Sequence, residues 1–304
     1  MKKTREMSLA GAAVIVMICV MFGANAAAIK ITLQGMGVFA SGFFRFSLAA
    51  AILFFWAKAT GRSLKLEKKN VKQVLIVTCA FSVQFALFIL GISKTSASRA
   101  ALLINLQPFC VLVLAHIFIK GDRITPMRLG GMVIGFLGVA CLFAIKGDAD
   151  VRFRPGDFLV AATALVWACN AIYLKTFIEK VSVFTVTFYH LLLSLPFFLA
   201  MSLVFDDAMI TAVTPSIAAA FLYQAAACTA FGFIAWNAML KKYKASAMHS
   251  FLFIMPISGV FFSFLILKEP LTQNIAAALA LIAAGIVISQ WKRETPCKKA
   301  LPHH

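Results

Sequence analysis

Ten apolar runs, each about 20 residues long, follow one another along almost the whole chain. A helix of about 20 apolar residues crosses the roughly 30 Å hydrocarbon core of a bilayer, and the segments between the runs are too short to fold as domains. The sequence therefore predicts an all-α integral membrane protein with ten transmembrane helices. In chain order, spans one to ten lie at 8–28, 38–58, 71–91, 99–119, 127–146, 157–177, 184–204, 215–238, 247–267 and 273–291.

The distribution of charge predicts how these spans are oriented. Of the 304 residues 62% are apolar and 13% are charged, whereas a soluble domain has about 25% charged residues. In a soluble chain the net charge of +18 would suggest a nucleic-acid partner, but here 21 of the 29 Lys and Arg residues lie in alternate loops and tails on one side, against seven on the other. By the positive-inside rule, we expect a multi-pass protein of the cytoplasmic (inner) membrane with both termini cytoplasmic, contacting lipid and not nucleic acid.

An internal repeat relates the two halves of the chain. Its members keep the same order in both halves, with offsets of 145 to 148 residues. The matched pairs are Asn25 with Asn170, Lys30 with Lys175, Phe39 with Phe184, Phe44 with Tyr189, Arg45 with His190, Ser98 with Ser246, Pro108 with Pro256, Asp122 with Glu269 and Gly138 with Gly285.

The repeat predicts two units of five spans each, at 8–146 and 157–291. Because five is odd, the second unit enters the membrane with the opposite orientation. Inverted repeats around a central cavity are a recurring architecture of transporters, since two near-equivalent halves can exchange conformations. The sequence therefore favours a secondary transporter of a small-molecule substrate.

The matched residues resemble those of a known family, the EamA-type permeases of the drug/metabolite transporter superfamily. The likeness rests on the ends of spans one and six ("GANAAAIK" and "ACNAIYLK"), on the Arg of span two, on the mid-span prolines of spans four and nine, and on "LKEPLT" before span ten. It implies a ten-helix bundle around a cavity, and export or exchange of amino acids or other small metabolites. The first half departs from the pattern at Asp122, where Glu is usual, and lacks a match for Pro270.

Four polar residues at matched positions of the repeat are the first candidates for the substrate pathway. An Arg at the centre of a span costs about 2.5–3.5 kcal/mol on insertion scales, so Arg45 requires a reason. We predict one vestibule formed by Asn25 with Arg45 on the outer side and a second formed by Asn170 with His190 on the cytoplasmic side. Snorkelling of Arg45 to the interface and interhelical hydrogen bonds of the two Asn residues remain the structural alternatives.

Prolines in spans four and nine predict kinks near mid-bilayer. A proline removes one backbone donor and clashes with the carbonyl four residues earlier, so Pro108 and Pro256 should leave the carbonyls of Ile104 and Leu252 free. Two polar residues beside Pro108, and then four polar or aromatic residues of other spans, are further candidates for contact with a substrate. These are Asn105 and Gln107, then Tyr173, Tyr189, Trp236 and Asn237.

Several motifs are absent. The seven cysteines have no metal or redox spacing, and the sequence has no P-loop, GxSxG or HExxH motif, so we expect no metal, no cofactor, no ATP drive and no enzyme activity. The acidic residues lie in loops, tails or span ends. A multidrug exporter, a nucleotide-sugar-like carrier and a membrane-embedded enzyme or scaffold remain alternatives, as do a monomer and a homodimer joined through the GxxxG motif of Gly131 and Gly135.

The stretch "FGANAAAIK" at 22–30 has two interpretations. Its Ala-x-Ala triplets after a basic leader are typical of a signal-peptidase site. The matching "WACNAIYLK" at 167–175 cannot be a signal sequence. We therefore favour the interpretation that 22–30 is the end of span one.

Overall fold

A computed structural model describes residues 8–118, 124–144, 153–175, 181–242, 251–252 and 254–290. These residues are helical with short connections, and the β-structure recorded among them is one isolated bridge between Met36 and Ile210. The α-helices are α1 Leu9–Thr32, α2 Val38–Ala59, α3 Val71–Ser93, α4 Ala97–Leu103, α5 Gln107–Phe118, α6 Pro126–Ala144, α7 Pro155–Lys175, α8 Val183–Phe205, α9 Pro215–Leu222, α10 Phe233–Lys242, α11 Ile254–Leu267 and α12 Gln273–Gln290.

Seven of the helical segments are long and apolar enough to cross a membrane, and three more are apolar but shorter, at Leu129–Cys141, Ile254–Leu267 and Gln273–Ile288. This confirms an all-α, multi-pass membrane protein. The count of ten spans and the inverted repeat stay predictions. Span nine differs from its predicted range of 247–267, because residues 251–252 form a turn and α11 begins at Ile254.

Two predicted spans are interrupted helices. A 3₁₀ segment, Ile104–Leu106, separates α4 from α5 immediately before Pro108, as the proline predicts. The Ile104 carbonyl is not left free, because it accepts a hydrogen bond from the Gln107 N–H. Span eight is interrupted by a π-helix, Tyr223–Gly232, which joins α9 to α10.

Helices from the two halves of the chain pack against each other throughout the bundle. The α2 helix lies along α8, α4 lies against α11, and α6 lies along α12. The α1 helix packs on α11 and on the segment formed by α9 and the π-helix, while α7 packs on α5 and α3. The interface between the halves therefore runs through the interior of the bundle.

The GxxxG motif of α6 is used within the chain. A Cβ atom built on Gly285 of α12 would lie 2.6 Å from the Gly131 carbonyl oxygen and from the Gly135 nitrogen. Glycine at these positions therefore permits close backbone approach of α6 and α12. The motif forms an intramolecular contact, which leaves its glycines covered and unavailable as a dimer seam.

The stretch that resembles a signal-peptidase site lies inside α1. Ala26, Ala27 and Ala28 are buried, and the helix runs through them without a break from its Ser8 cap, whose hydroxyl accepts the Gly11 N–H. The Ala-x-Ala pattern here serves close helix packing.

Candidate functional site

Arg45 lies on α2 and is buried, with 2% of its surface exposed. Its Nε donates to the Thr229 hydroxyl at 2.7 Å, and its Nη1 donates to the Gln224 Oε1 at 3.2 Å. The guanidinium carbon stands 5.5 Å from the centroid of the Phe85 ring, within the range of a cation–π contact. Each of these three partners is electrically neutral.

The π-helix positions both hydrogen-bond acceptors of Arg45. The Thr229 hydroxyl donates to the Gln224 carbonyl at 2.8 Å, across the five-residue interval of a π-turn. The Gln224 Nε2 donates to the Ala28 carbonyl at 3.0 Å and to the Thr32 hydroxyl at 2.6 Å, both on α1. Because π-segments are rare and are frequent at functional sites, this distortion marks the surroundings of Arg45 as a candidate site.

Two carboxylates, those of Asp206 and Glu269, bind backbone N–H groups where α2 and α4 begin. The Asp206 carboxylate accepts the N–H groups of Phe39 and Ala40 at the start of α2. Glu269 accepts those of Ala97 and Ser98 at the start of α4. Among the described residues no carboxylate is recorded in a salt bridge with Arg45. We call this region, where α2 and α4 begin, the Arg45 end.

A second buried arginine at the Arg45 end is paired. Arg99 lies in α4 with 3% of its surface exposed. Its Nη2 donates to the Asp157 Oδ2 at 2.6 Å, and Asp157 also accepts the Thr95 hydroxyl and the Arg154 N–H. Asp157 is therefore an internal structural carboxylate at the start of α7.

An aromatic cluster separates Arg45 from His190. The Phe81 and Phe85 rings of α3 are 4.7 Å apart, and Phe81 stacks on His190 with ring centroids 5.4 Å apart and an interplanar angle of 23°. Around this pair, further rings from α2, α8 and α10 complete the cluster. They belong to Phe46, Phe198 and Phe233.

Three buried polar atoms, one each on α8, α7 and α3, have no hydrogen-bond partner among the described residues. They are the His190 Nε2, the Asn170 Oδ1 and the Thr78 Oγ1. The Gln84 carbonyl accepts the Thr163 hydroxyl at 3.5 Å. Since α3 and α7 are antiparallel, this contact places Asn170 of α7 close to the level of Thr78 on α3. We call this region the His190 end.

Neither predicted vestibule pair is joined by a hydrogen bond. The Asn25 Oδ1 on α1 is buried without a partner among the described residues, and Arg45 bonds to Gln224 and Thr229 instead. Asn170 and His190 are likewise not bonded to one another in the described structure. The two pairings remain predictions about the path of a substrate.

The polar residues beside Pro108 differ in their surroundings. The Asn105 Nδ2 donates to the Ala101 carbonyl at 2.6 Å and is buried in the 3₁₀ segment, so this amide bonds within its own helix. Gln107 is half-buried at the start of α5. Pro256, the third residue of α11, follows an equivalent turn in which the Met255 N–H donates to the Leu252 carbonyl at 3.0 Å. The expected free carbonyl is therefore occupied in both halves.

The remaining candidates lie on α7, α8 and α10. Tyr173 and Tyr189 are half-buried and pack against a cluster around Val74 and Val77 on α3. Trp236 packs on Phe22 with ring centroids 6.4 Å apart. Asn237 lies on α10, but its side chain is outside the part of the chain that the structure describes.

Sequence reasoning missed Gln224, Thr229, Asp206 and Glu269 as contact residues. Glu269 had a signal, since the repeat pairs it with Asp122, but its helix-capping role depends on the tertiary fold. Within the described ranges, no group of three His, Cys, Asp or Glu residues has the arrangement of a metal site.

Comparisons with known proteins agree with this architecture. A solved crystal structure superposes with a TM-score of 0.70 at 17% identity, covering 92% of this chain and 96% of that chain, which shows the fold. The uncharacterized transporter YoaV of Bacillus subtilis is 22% identical over 90% of this chain and 94% of its own length. A probable amino-acid metabolite efflux pump of Salmonella typhimurium is 24% identical over 90% of this chain and 92% of its own length. A protein of the same description from Escherichia coli is 23% identical over 91% of this chain and 95% of its own length.

A family model matches both halves of the chain separately. The model is that of the EamA-like transporter family, and its two matches cover residues 9–144 and 154–291. Together they include every α-helix described above. The chain therefore belongs to the EamA-like transporter family.

Proposed function

We propose that this protein exports or exchanges small metabolites that carry a carboxylate, such as amino acids, and that it acts as a secondary transporter and not as an enzyme. The observation that carries the proposal is Arg45, a buried cation held by neutral partners inside the bundle. A buried ionisable residue in a membrane bundle marks a substrate or ion path by default. The two relatives named as amino-acid metabolite efflux pumps favour the same substrate class.

Alternating access between two inverted halves is the mechanism we propose. The packing of the helices supports it, because exchanging the halves converts the contact of α1 with α11 into that of α7 with α5. The same exchange converts the Gln107-to-Ile104 hydrogen bond into the Met255-to-Leu252 hydrogen bond. Two halves with equivalent contacts can adopt each other's conformations at little cost in free energy.

The orientation we propose places the Arg45 end outside and both termini in the cytoplasm. The excess of Lys and Arg in the loops of the opposite side supports this orientation. At the Arg45 end, the carboxylates of Asp206 and Glu269 join the second half of the chain to helix starts of the first half. We propose that these contacts close the Arg45 end, in a state that receives its substrate from the cytoplasm through the His190 end.

Counterflow in proteoliposomes tests the proposed function. Vesicles containing the purified protein are loaded with one unlabelled amino acid, and uptake of the same radiolabelled amino acid is measured for the proteinogenic set. We expect transient accumulation of at least one amino acid above protein-free vesicles. If no amino acid exchanges in correctly reconstituted vesicles, the proposed substrate class is wrong.

A further inference from the structure

We propose that Gln224 is a specificity-determining residue that selects substrates with a carboxylate. It holds Arg45 through a neutral acceptor, so the charge of Arg45 stays uncompensated by the protein and is available to the substrate. The inference rests on the proposed transport function. In this role Gln224 lets the protein distinguish carboxylates from their uncharged analogues.

The orientation of the Gln224 amide is fixed by its neighbours. Its Nε2 lies within hydrogen-bonding distance of three acceptors, the carbonyls of Ala28 and Ala220 at 3.0 and 3.2 Å and the Thr32 hydroxyl at 2.6 Å. An amide that donates on this side must present its oxygen on the other. That oxygen, Oε1, accepts from the Arg45 Nη1 at 3.2 Å.

The second partner of Arg45 is equally constrained. The Thr229 hydroxyl donates its only hydrogen to the Gln224 carbonyl at 2.8 Å, so its oxygen is left to accept from the Arg45 Nε at 2.7 Å. Both acceptors of the guanidinium are therefore fixed by the π-helix, and neither can take up its charge. Because Gln224 is buried, at 3% exposure, water does not replace these two acceptors of the guanidinium.

Part of the guanidinium is not used by the hydrogen bonds that hold it in place. A guanidinium has five N–H donors, and the hydrogen bonds described above use one at Nε and one at Nη1. Its Nη2 group has no recorded hydrogen bond within the described part of the chain. A carboxylate approaching this edge would accept charge-assisted hydrogen bonds, the strong class, while a neutral amide or an amine would gain little or be repelled.

The charge of residue 224 therefore decides what Arg45 binds. Glu has nearly the shape of Gln, but its carboxylate would pair with Arg45 inside the protein and compete with a substrate carboxylate. That internal ion pair removes the binding charge. The second carboxylate oxygen of Gln224→Glu would face the Ala28 and Ala220 carbonyls, to which Nε2 donates in wild type, so the variant also loses stability. A role of Gln224 in folding alone predicts equal effects on substrate affinity in Gln224→Glu and in a neutral variant that loses the same donors.

The Gln224→Glu variant in counterflow tests the inference, with the amino acid that wild type exchanges fastest as the probe. We expect its half-saturating concentration to rise at least about tenfold, with a lower melting temperature in detergent because the Nε2 donations are lost. The neutral variant Gln224→Met should lower the melting temperature but change the half-saturating concentration less than Gln224→Glu does. An unchanged half-saturating concentration in Gln224→Glu, or an equal rise in Gln224→Glu and Gln224→Met, would overturn the inference.

Competition against wild type supplies an independent test of selectivity. The α-amide of the probe amino acid keeps its ammonium and side chain but lacks the carboxylate. We expect the unlabelled amide to compete with labelled probe at least about tenfold more weakly than the unlabelled amino acid. Equal competition would refute carboxylate selection while leaving amino-acid transport standing, whereas absence of any amino-acid exchange would refute the proposed substrate class.

Discussion

Two arginines are buried in this bundle to nearly the same extent, Arg45 at 2% and Arg99 at 3% exposure, but the charge of their partners differs. Arg99 donates twice to the Asp157 carboxylate, at 3.2 and 2.6 Å. Arg45 donates to an amide oxygen and a hydroxyl and lies over an aromatic ring. One buried cation is neutralised by the protein and the other is not.

The difference separates a structural cation from a functional one. A buried ion pair with its hydrogen bonds satisfied contributes to the fold only while both members are present, since removal of one leaves an uncompensated charge. A buried cation with neutral acceptors bears its desolvation cost permanently and gains from any anion that reaches it. We therefore expect changes at Arg99 to affect stability first and changes at Arg45 to affect transport first.

The largest expected effect is on stability, from Asp157→Asn. The change leaves Arg99 buried without a counter-charge, and breaking a buried pair in this way costs about 3–5 kcal/mol. For a chain of this size we expect the melting temperature in detergent to fall by about 10 °C, measured by fluorescence-detected size exclusion. Asp207→Asn, an exposed carboxylate elsewhere on the same side of the bundle, is the matched control and should melt as wild type does.

A melting temperature of Asp157→Asn equal to that of Asp207→Asn would contradict the structural role of Arg99. It would show that the pair with Asp157 is not needed to hold α4 against α7. Arg99 could then no longer be called a structural cation in contrast to Arg45.

The next effect is on transport, from Arg45→Leu. We expect the ratio of counterflow rate to half-saturating concentration to fall at least about 30-fold, equivalent to about 2 kcal/mol, because the substrate carboxylate loses its charged partner. The melting temperature should fall less than that of Asp157→Asn, since the change removes the buried charge together with its desolvation cost and leaves no buried charge unpaired. Lys72→Leu, which removes an exposed cation from the start of α3, is the control.

Normal transport by Arg45→Leu, in an amount in the membrane equal to that of wild type, would show that the charge of Arg45 is not needed for transport. The stability of Arg45→Leu could instead fall as far as that of Asp157→Asn. Either result would assign Arg45 a structural role like that of Arg99.

The sequence alone predicted more of the fold than of the site. Long apolar runs and Pro108 predicted the spans and the break before α5, because both depend on local chemistry. The π-helix was not predicted, since a π-turn is favoured here by contacts of Gln224 with α1 and of Thr229 with Arg45. In the sequence Gln224 is one polar residue of an apolar span. Its partners on α1, Ala28 and Thr32, precede it by 196 and 192 residues in the chain.

The smallest of the three effects is expected from Thr229→Val, which removes a neutral acceptor of Arg45 and leaves its charge unchanged. Thr229→Val keeps the shape of the side chain but removes the hydroxyl that accepts from Nε at 2.7 Å. Loss of one hydrogen bond to a charged group costs about 1.5 kcal/mol, and we expect it to appear partly as a lower melting temperature and partly as an about 3-fold rise in the half-saturating concentration of the probe amino acid. Selection against the α-amide should persist, because the charge of Arg45 is unchanged. If Thr229→Val lost that selection, the hydroxyl and not the guanidinium would be the group that recognises the carboxylate, and Arg45 would differ from Arg99 only in its partners.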